Sequence, residues 1–510
     1  MLPVRHDLEL YVLACNDAPR GLPENPDRTR IDPGEERLSH MPSGKRIRSA
    51  ILELAALGLA MCGLIWPAGH VLAADAVPNE TRLSVDDVLK VKNDDDWVLV
   101  DARATDAFNG WPLDGVKRGG HIPHAVDFPA SWLEGDQKGK TERLATALRT
   151  KGIERDKHIV LYSTNERDRR RLAGYLRQVG FRKLYSFDLK DWTADKNRPL
   201  VRYRNFHLLL PASIVKRLLG GQLPETFEKA KRVKFVEVSW GGEDASYSKG
   251  HVPRSFHVNT DHFEPPPQWK LGSPAVLSRF ATRYGFQADD TVVISGQDPT
   301  ASYRLAIVLQ YMGVSDVRVL NGGFAAWKAA RYPVETRSQL PPEAKLFGTR
   351  IPRRPKLIDD LTRVKAGLRK PDDFMLVDNR TWAEFIGKTS GYKYHFRKGR
   401  IPGAIYGQAG FTGANSLTPY RNIDNTMRNA GEILALWKRA GISTDKHLSF
   451  MCGGGWRAAE VLTFARVIGL SNTSLYSDGW IGWSNDRQNP IESGTTSKTP
   501  KPARPLPSKP

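Results

Sequence analysis

The stretch His447-Leu448-Ser449-Phe450-Met451-Cys452-Gly453-Gly454-Gly455-Trp456-Arg457 decides the fold. A short, mostly apolar run ends at a cysteine, and three glycines follow. From Trp456 to Gly469, the residues Ala458, Leu462, Ala465 and Val467 fall at helical spacing. The pattern is strand, loop and helix, with a thiol at the turn. Free backbone N–H groups and the positive end of the helix dipole favour a thiolate there and form an anion cradle. Three glycines allow positive φ angles that would turn successive N–H groups inward around the sulfur. Arg457 adds a fixed cation with a fork of donors. Cys452 and Arg457 are therefore candidate catalytic residues, and Gly453, Gly454, Gly455 and Trp456 are candidate substrate contacts. A buried structural cysteine before a flexible turn would account for Cys-Gly-Gly-Gly alone, but not for strand, helix and arginine together.

Working outward, three marks recur in the same order. The first is an apolar strand ending in an acid: Val98-Leu99-Val100-Asp101-Ala102-Arg103, Phe235-Val236-Glu237-Val238, and Leu376-Val377-Asp378-Asn379-Arg380. The second is a turn: Gly120-His121-Ile122-Pro123, Gly250-His251-Val252-Pro253, and Gly399-Arg400-Ile401-Pro402. The third is a strand and turn closing on Trp192, Trp327 and Trp483, which are about 135 and about 156 residues apart. Between the second and third marks each copy holds helix, short apolar strand, loop and helix. Such alternation predicts an α/β unit with a parallel sheet flanked by helices on both faces. Ligands in such sheets bind beyond the carboxyl ends of the strands. The expected division is 77–200, 206–338 and 355–494, with linkers around 198–205 and 335–354 and a Ser/Thr/Lys/Pro tail from 495 to 510 expected to be disordered. At the strand-to-loop junction the first copy has Ser163 and the second Gly296, so only the third carries a thiol. His121 and His251 read as structural members of their turns.

Composition agrees with three globular units of about 130 to 150 residues. Of 510 residues 40% are hydrophobic, and the formal net charge is +20. The cations are scattered, with no Lys/Arg run of five and no zinc-finger or RNA-reading motif, so a basic surface that draws small anions is expected rather than nucleic acid. Cys15, Cys62 and Cys452 are the three cysteines. Residues 45–76 read as a secretory signal: Lys45, Arg46 and Arg48, the apolar run Ile51 to Trp66, then Ala74-Asp75-Ala76, or alternatively Val71-Leu72-Ala73, as cleavage site. A retained membrane anchor is the competing reading, opposed by the shortness of the run and by Glu53. Leu59-Ala60-Met61-Cys62 faintly resembles a lipoprotein box, but Met61 is too large for it. Residues 1–44 then read as a disordered or mis-called extension, with Met41 a candidate start. A periplasmic location, no membrane insertion after cleavage, and Cys452 as the one remaining thiol are the expectations.

The Asp-x-Arg strand end, the Gly-His-Ile-Pro turn, the Cys-x4-Arg loop and the Gly-Gly-x-x-x-Trp ending together resemble the rhodanese superfamily, over residues 77 to about 494. Glu384 to Tyr394 with Cys-Gly-Gly-Gly-Trp-Arg is most similar to the bacterial periplasmic three-domain thiosulfate sulfurtransferases. The resemblance implies three tandem rhodanese-like domains with only the last catalytic, and neither cofactor nor metal. It implies that Cys452 takes the outer sulfur of thiosulfate, or of a similar small anionic donor, as a persulfide and yields it to cyanide or a thiol. Arg457 would hold the sulfonate end or brace the loop.

One position departs from the family pattern. Where two-domain relatives place a substrate-binding arginine four residues beyond the strand-end arginine, this chain has Glu384. Lys388, Tyr394, Arg397, Lys398 and Arg400 are substitutes in the same segment, while Asp378 and Arg380 read as an internal ion pair that sets the loop. Phosphatase or arsenate-reductase chemistry would need a longer Cys-x5-Arg loop. Mercaptopyruvate as donor, and a carrier that hands sulfur to one partner, stay open as alternatives.

Overall fold

The computed structural model describes residues 80–135, 139–410 and 417–495. The extension 1–44, the export segment 45–76, Cys15, Cys62 and residues 496–510 lie outside the described residues. Three five-stranded sheets follow one another along the chain, each with strand order 1-5-4-2-3 and every pairing parallel. Helices cover both faces, so the strands are near-continuous apolar runs rather than alternating ones. In the third sheet, Phe374–Asp378 and Thr473–Tyr476 flank the central strand His447–Met451, and Ile358–Asp359 and Ile405–Tyr406 form the edges. Thr291–Ser295 and His158–Ser163 are the corresponding central strands of the middle and first domains.

The strand-end acids lock each sheet to its turn. Asp378 accepts from the Arg380 backbone and side chain at 2.6–3.1 Å, and Arg380 Nη2 also donates to the Gly399 carbonyl at 2.9 Å. Asp101, Arg103 and Gly120 repeat this arrangement in the first domain. His121 and His251 each donate from Nδ1 to a backbone carbonyl of their own domain, that of Phe108 and that of Tyr247.

The helix Trp456–Ile468 is buried nearly all round, as is Pro299–Met312 of the middle domain. A helix buried on nearly every side needs cover on nearly every side. The two helices supply it for each other, with Tyr303 and Phe464 edge to face at 5.4 Å. The first domain meets the third through buried polar pairs instead: Lys151 bridges Asp127 and Glu432 at 2.7 and 2.6 Å. These seams join the three domains into one unit.

Candidate active site

Cys452 stands at the carboxyl end of the central strand, 2% exposed, and its Sγ accepts from the Gly455 N–H at 3.2 Å. Gly455 is the N-cap of the helix Trp456–Ile468, at φ +93°, and no side chain caps that helix. The first-turn donors are thus left for the sulfur and for whatever it carries.

The three glycines do different work, which corrects the expectation that all three curl the loop. Only Gly455 has a left-handed φ; Gly453 and Gly454 do not. A Cβ at Gly453 would run into the Tyr392 phenol, so this glycine admits a close neighbour, whereas a Cβ at Gly454 would meet nothing within 4 Å. The loop is also clasped from below by the closing turn. Trp480 N and Ile481 N donate to the carbonyls of Cys452 and Gly453 at 2.8 and 3.0 Å, and Gly479, at φ +54°, leaves room for that approach. The tryptophan-ending motif, read from sequence as a domain terminus, is therefore a support of the thiol.

Arg457 does not present a free fork. Its Nη1 and Nη2 donate to both oxygens of Glu384 at 2.8 and 2.9 Å, and Nη2 also reaches the Tyr392 hydroxyl at 2.8 Å. Of the two roles open to it, the geometry is that of a brace. Burial would raise the Glu384 pKa, but the adjacent Arg457 guanidinium outweighs it and brings the carboxyl down to about 2. Glu384 is itself fixed by Thr381, whose N–H and hydroxyl donate to it at 2.9 and 2.7 Å while Glu384 N donates back. The residue that displaces the family's arginine is thus the counter-ion of the loop arginine. The Thr381–Glu384 capping box joins residues three apart, whereas the pairing with Arg457 joins residues 73 apart.

Among the substitutes, Arg400 is committed to the Gly494 carbonyl and Glu492. Lys388 and Lys398 are exposed, and Arg397 is half-buried. Tyr394 lies near the thiol: burial first, then the negative charge that Cys452 would bear, raises its phenol pKa. It is 57% exposed and continues an aromatic column from Tyr392 (ring centroids 5.5 Å) to Trp269 of the middle domain (5.3 Å). The indole of Trp456 donates to Glu264 of the middle domain at 2.8 Å. Tyr392, Trp269, Glu264 and Ser477 went unmarked as site residues in the sequence because nothing local pairs them with Cys452. Among the described residues no cluster of potential metal ligands occurs, and no helix is long and apolar enough to cross a membrane.

A thiol on an uncapped helix N-terminus, at the strand ends of a thrice-repeated parallel α/β unit, defines a class of cysteine-dependent group-transfer protein. A family model described as "Rhodanese-like domain" matches residues 84–195, 222–330 and 360–486. The chain is 35% identical over 398 residues to the thiosulfate sulfurtransferase YnjE of Escherichia coli (strain K12), covering 78% of this chain and 88% of that protein. It is also similar to solved structures of EanB. One carries a cysteine persulfide in a tetrahedral intermediate state with ergothioneine (33% identity, TM-score 0.76, 82% of this chain and 100% of that one). Another holds hercynine (33% identity, TM-score 0.77, 82% and 99%). The chain belongs to the rhodanese family, in which it has three successive domains.

Proposed function

We propose that the protein is a thiosulfate sulfurtransferase working through a persulfide on Cys452. The Cys452 thiolate attacks the outer sulfur of the donor, a new S–S bond forms, the donor's S–S bond breaks, and sulfite leaves with the bonding pair. A thiophilic acceptor, cyanide or a thiol, then takes the terminal sulfur and restores the thiolate. The observation that carries this reading is the Gly455 N–H on the Cys452 sulfur at a helix start with no side-chain cap. A persulfide anion placed there meets the same unspent donors. Arg457, held by Glu384 and Tyr392, keeps the helix start in register rather than reaching for the donor's oxygens.

Intact mass after thiosulfate treatment tests it directly: a gain of about 32 Da that Cys452→Ser abolishes. No gain on the unmodified protein would sink the proposal. Steady-state turnover with thiosulfate and with mercaptopyruvate, cyanide as acceptor, assigns the donor, and a tenfold advantage in kcat/KM for mercaptopyruvate would reverse the assignment. The aromatic column Tyr392–Tyr394–Trp269 beside the thiol favours a second reading of the acceptor. A flat heteroaromatic compound such as the hercynine bound by EanB would stack there, and formation of a thiolated product from hercynine by the persulfide form tests it. Residues 45–76 support export to the periplasm, which cell fractionation checks.

A further inference from the structure

Into the apolar seam between the helices Pro299–Met312 and Trp456–Ile468, the middle domain places a cation. Arg304 is 0% exposed. Its Nε donates to Glu264 Oε1 at 2.7 Å and its Nη2 to Ser477 Oγ at 2.7 Å. The other Glu264 oxygen receives the Trp456 indole at 2.8 Å. Two residues in contact with the thiol loop, Trp456 after it and Ser477 beneath it, are thus tied to one guanidinium from another domain.

The third nitrogen is the telling one. Arg304 Nη1 is buried and has no acceptor, a costly state for a charged donor. It lies against Gly455: a Cβ built there would stand 2.8 Å from Nη1 and 3.0 Å from the Ser477 carbonyl. Gly455 is the residue whose left-handed φ aims its N–H at the Cys452 sulfur. Arg457 cannot serve in this place, because Glu384 and Tyr392 hold its donors.

We propose that Arg304, with Glu264, is a positioning residue for the Cys452 loop. It fixes Trp456 and Ser477, walls in Gly455, and so holds the Gly455 N–H on the sulfur before and after sulfur is taken up. The middle domain, which has no thiol of its own, supplies part of the frame of the third domain's site. This role rests on the reading of Cys452 as the sulfur-carrying nucleophile.

The test uses the full chain with Arg304→Gln, Arg304→Lys and Ser477→Ala. Single-turnover loading of Cys452 from thiosulfate is followed by intact mass, beside kcat, KM and the thermal midpoint. Arg304→Gln is expected to slow loading tenfold or more, with KM changed less than threefold, at temperatures where circular dichroism matches the unmodified protein. Arg304→Lys recovers part of that rate, because an ammonium reaches Glu264 but cannot span to Ser477 as well. Ser477→Ala loses three- to fivefold. An arginine that only glued the domains would lower the midpoint and leave the loading rate per folded molecule unchanged, and that result overturns the proposal. Should Arg304→Gln fail to fold, Ser477→Ala decides in the same way. Unmodified protein that gains no sulfur would instead overturn the reading of Cys452, and this role with it.

Discussion

The helix after the central strand begins differently in the three domains. In the middle domain Asp298 Oδ1 accepts from Thr300 N at 2.9 Å, and in the first Asn165 Oδ1 accepts from Arg167 N at 2.9 Å. Counting from Ser163, Gly296 and Cys452, the residues at the same junction of the three domains, both caps occupy the position of Gly454, where the third domain has no side chain at all. Two domains therefore spend the anion-binding end of the helix on a cap of their own, while the third leaves it open and adds a thiol. The difference teaches that the first two domains depart from the third by more than a missing sulfur: the helix start that is open in the third is capped in both. The strand-end acid makes a second contrast. Asp101 and Asp378 each hold an arginine, but Glu237 has Ser239 two residues on, and one of its oxygens is buried without a partner.

The largest expected effect is the loss of the thiol. Cys452→Ser lowers thiosulfate–cyanide turnover by about a thousandfold or more. Ser163 and Gly296 offer no substitute nucleophile, so turnover within tenfold of the unmodified protein would break the contrast between domains. Next is the brace. Glu384→Gln, which leaves the buried Arg457 without its counter-ion, destabilises by about 3 kcal/mol in denaturant unfolding at pH 7. Because the Glu384 carboxyl sits at about 2, below the ordinary 4.5, its contribution is fully present above pH 4.5. It is lost as pH falls through 2, so the cost of the substitution is flat from pH 5 to 8.

The middle domain's acid behaves in the opposite sense. Burial pushes Glu237 up to about 7, so the native state binds its proton more tightly than the unfolded chain does. Stability from this group is present below pH 4.5 and falls as pH rises through 7, by up to about 3 kcal/mol. Glu237→Gln removes that slope, so unfolding at pH 5 and pH 8 compared between the two proteins isolates it. Parallel slopes would show that Glu237 is ionised in the fold. A smaller effect sharpens the capping argument. Gly454→Asp, which copies the middle domain's cap into an open position, is expected to cost about tenfold in kcat/KM while stability shifts by less than about 0.5 kcal/mol. The smallest is Gly454→Ala, within twofold in turnover, against a clear loss for Gly455→Ala, whose φ of +93° strains any side chain.

Much of this was open to a reader of the chain. The repeated marks, the continuous apolar strands, the single competent loop and the Asp378–Arg380 pair all depend on residues a few positions apart, where backbone period and turn geometry dictate who meets whom. The thiol at a helix start is of the same kind. The local reading went astray where one motif allowed several geometries. Three glycines in a row suggest one curl, but Gly453 makes room for Tyr392, Gly454 faces open space, and only Gly455 turns.

What only the tertiary structure decided are the partners. That Arg457 closes on Glu384 rather than on a ligand, that Trp480 and Ile481 clasp the loop, and that Arg304 and Glu264 arrive from the middle domain all join residues from 28 to 192 positions apart. No spacing rule reaches that far. The pairs with Arg304 and Glu264 form because a helix buried on nearly every side in each of two domains must be covered, and covering one with the other carries a buried arginine to the edge of the thiol loop. The sequence by itself pointed to Cys452 as the candidate nucleophile; the packing of a thiol-free domain against the third brought Arg304 and Glu264 to its loop.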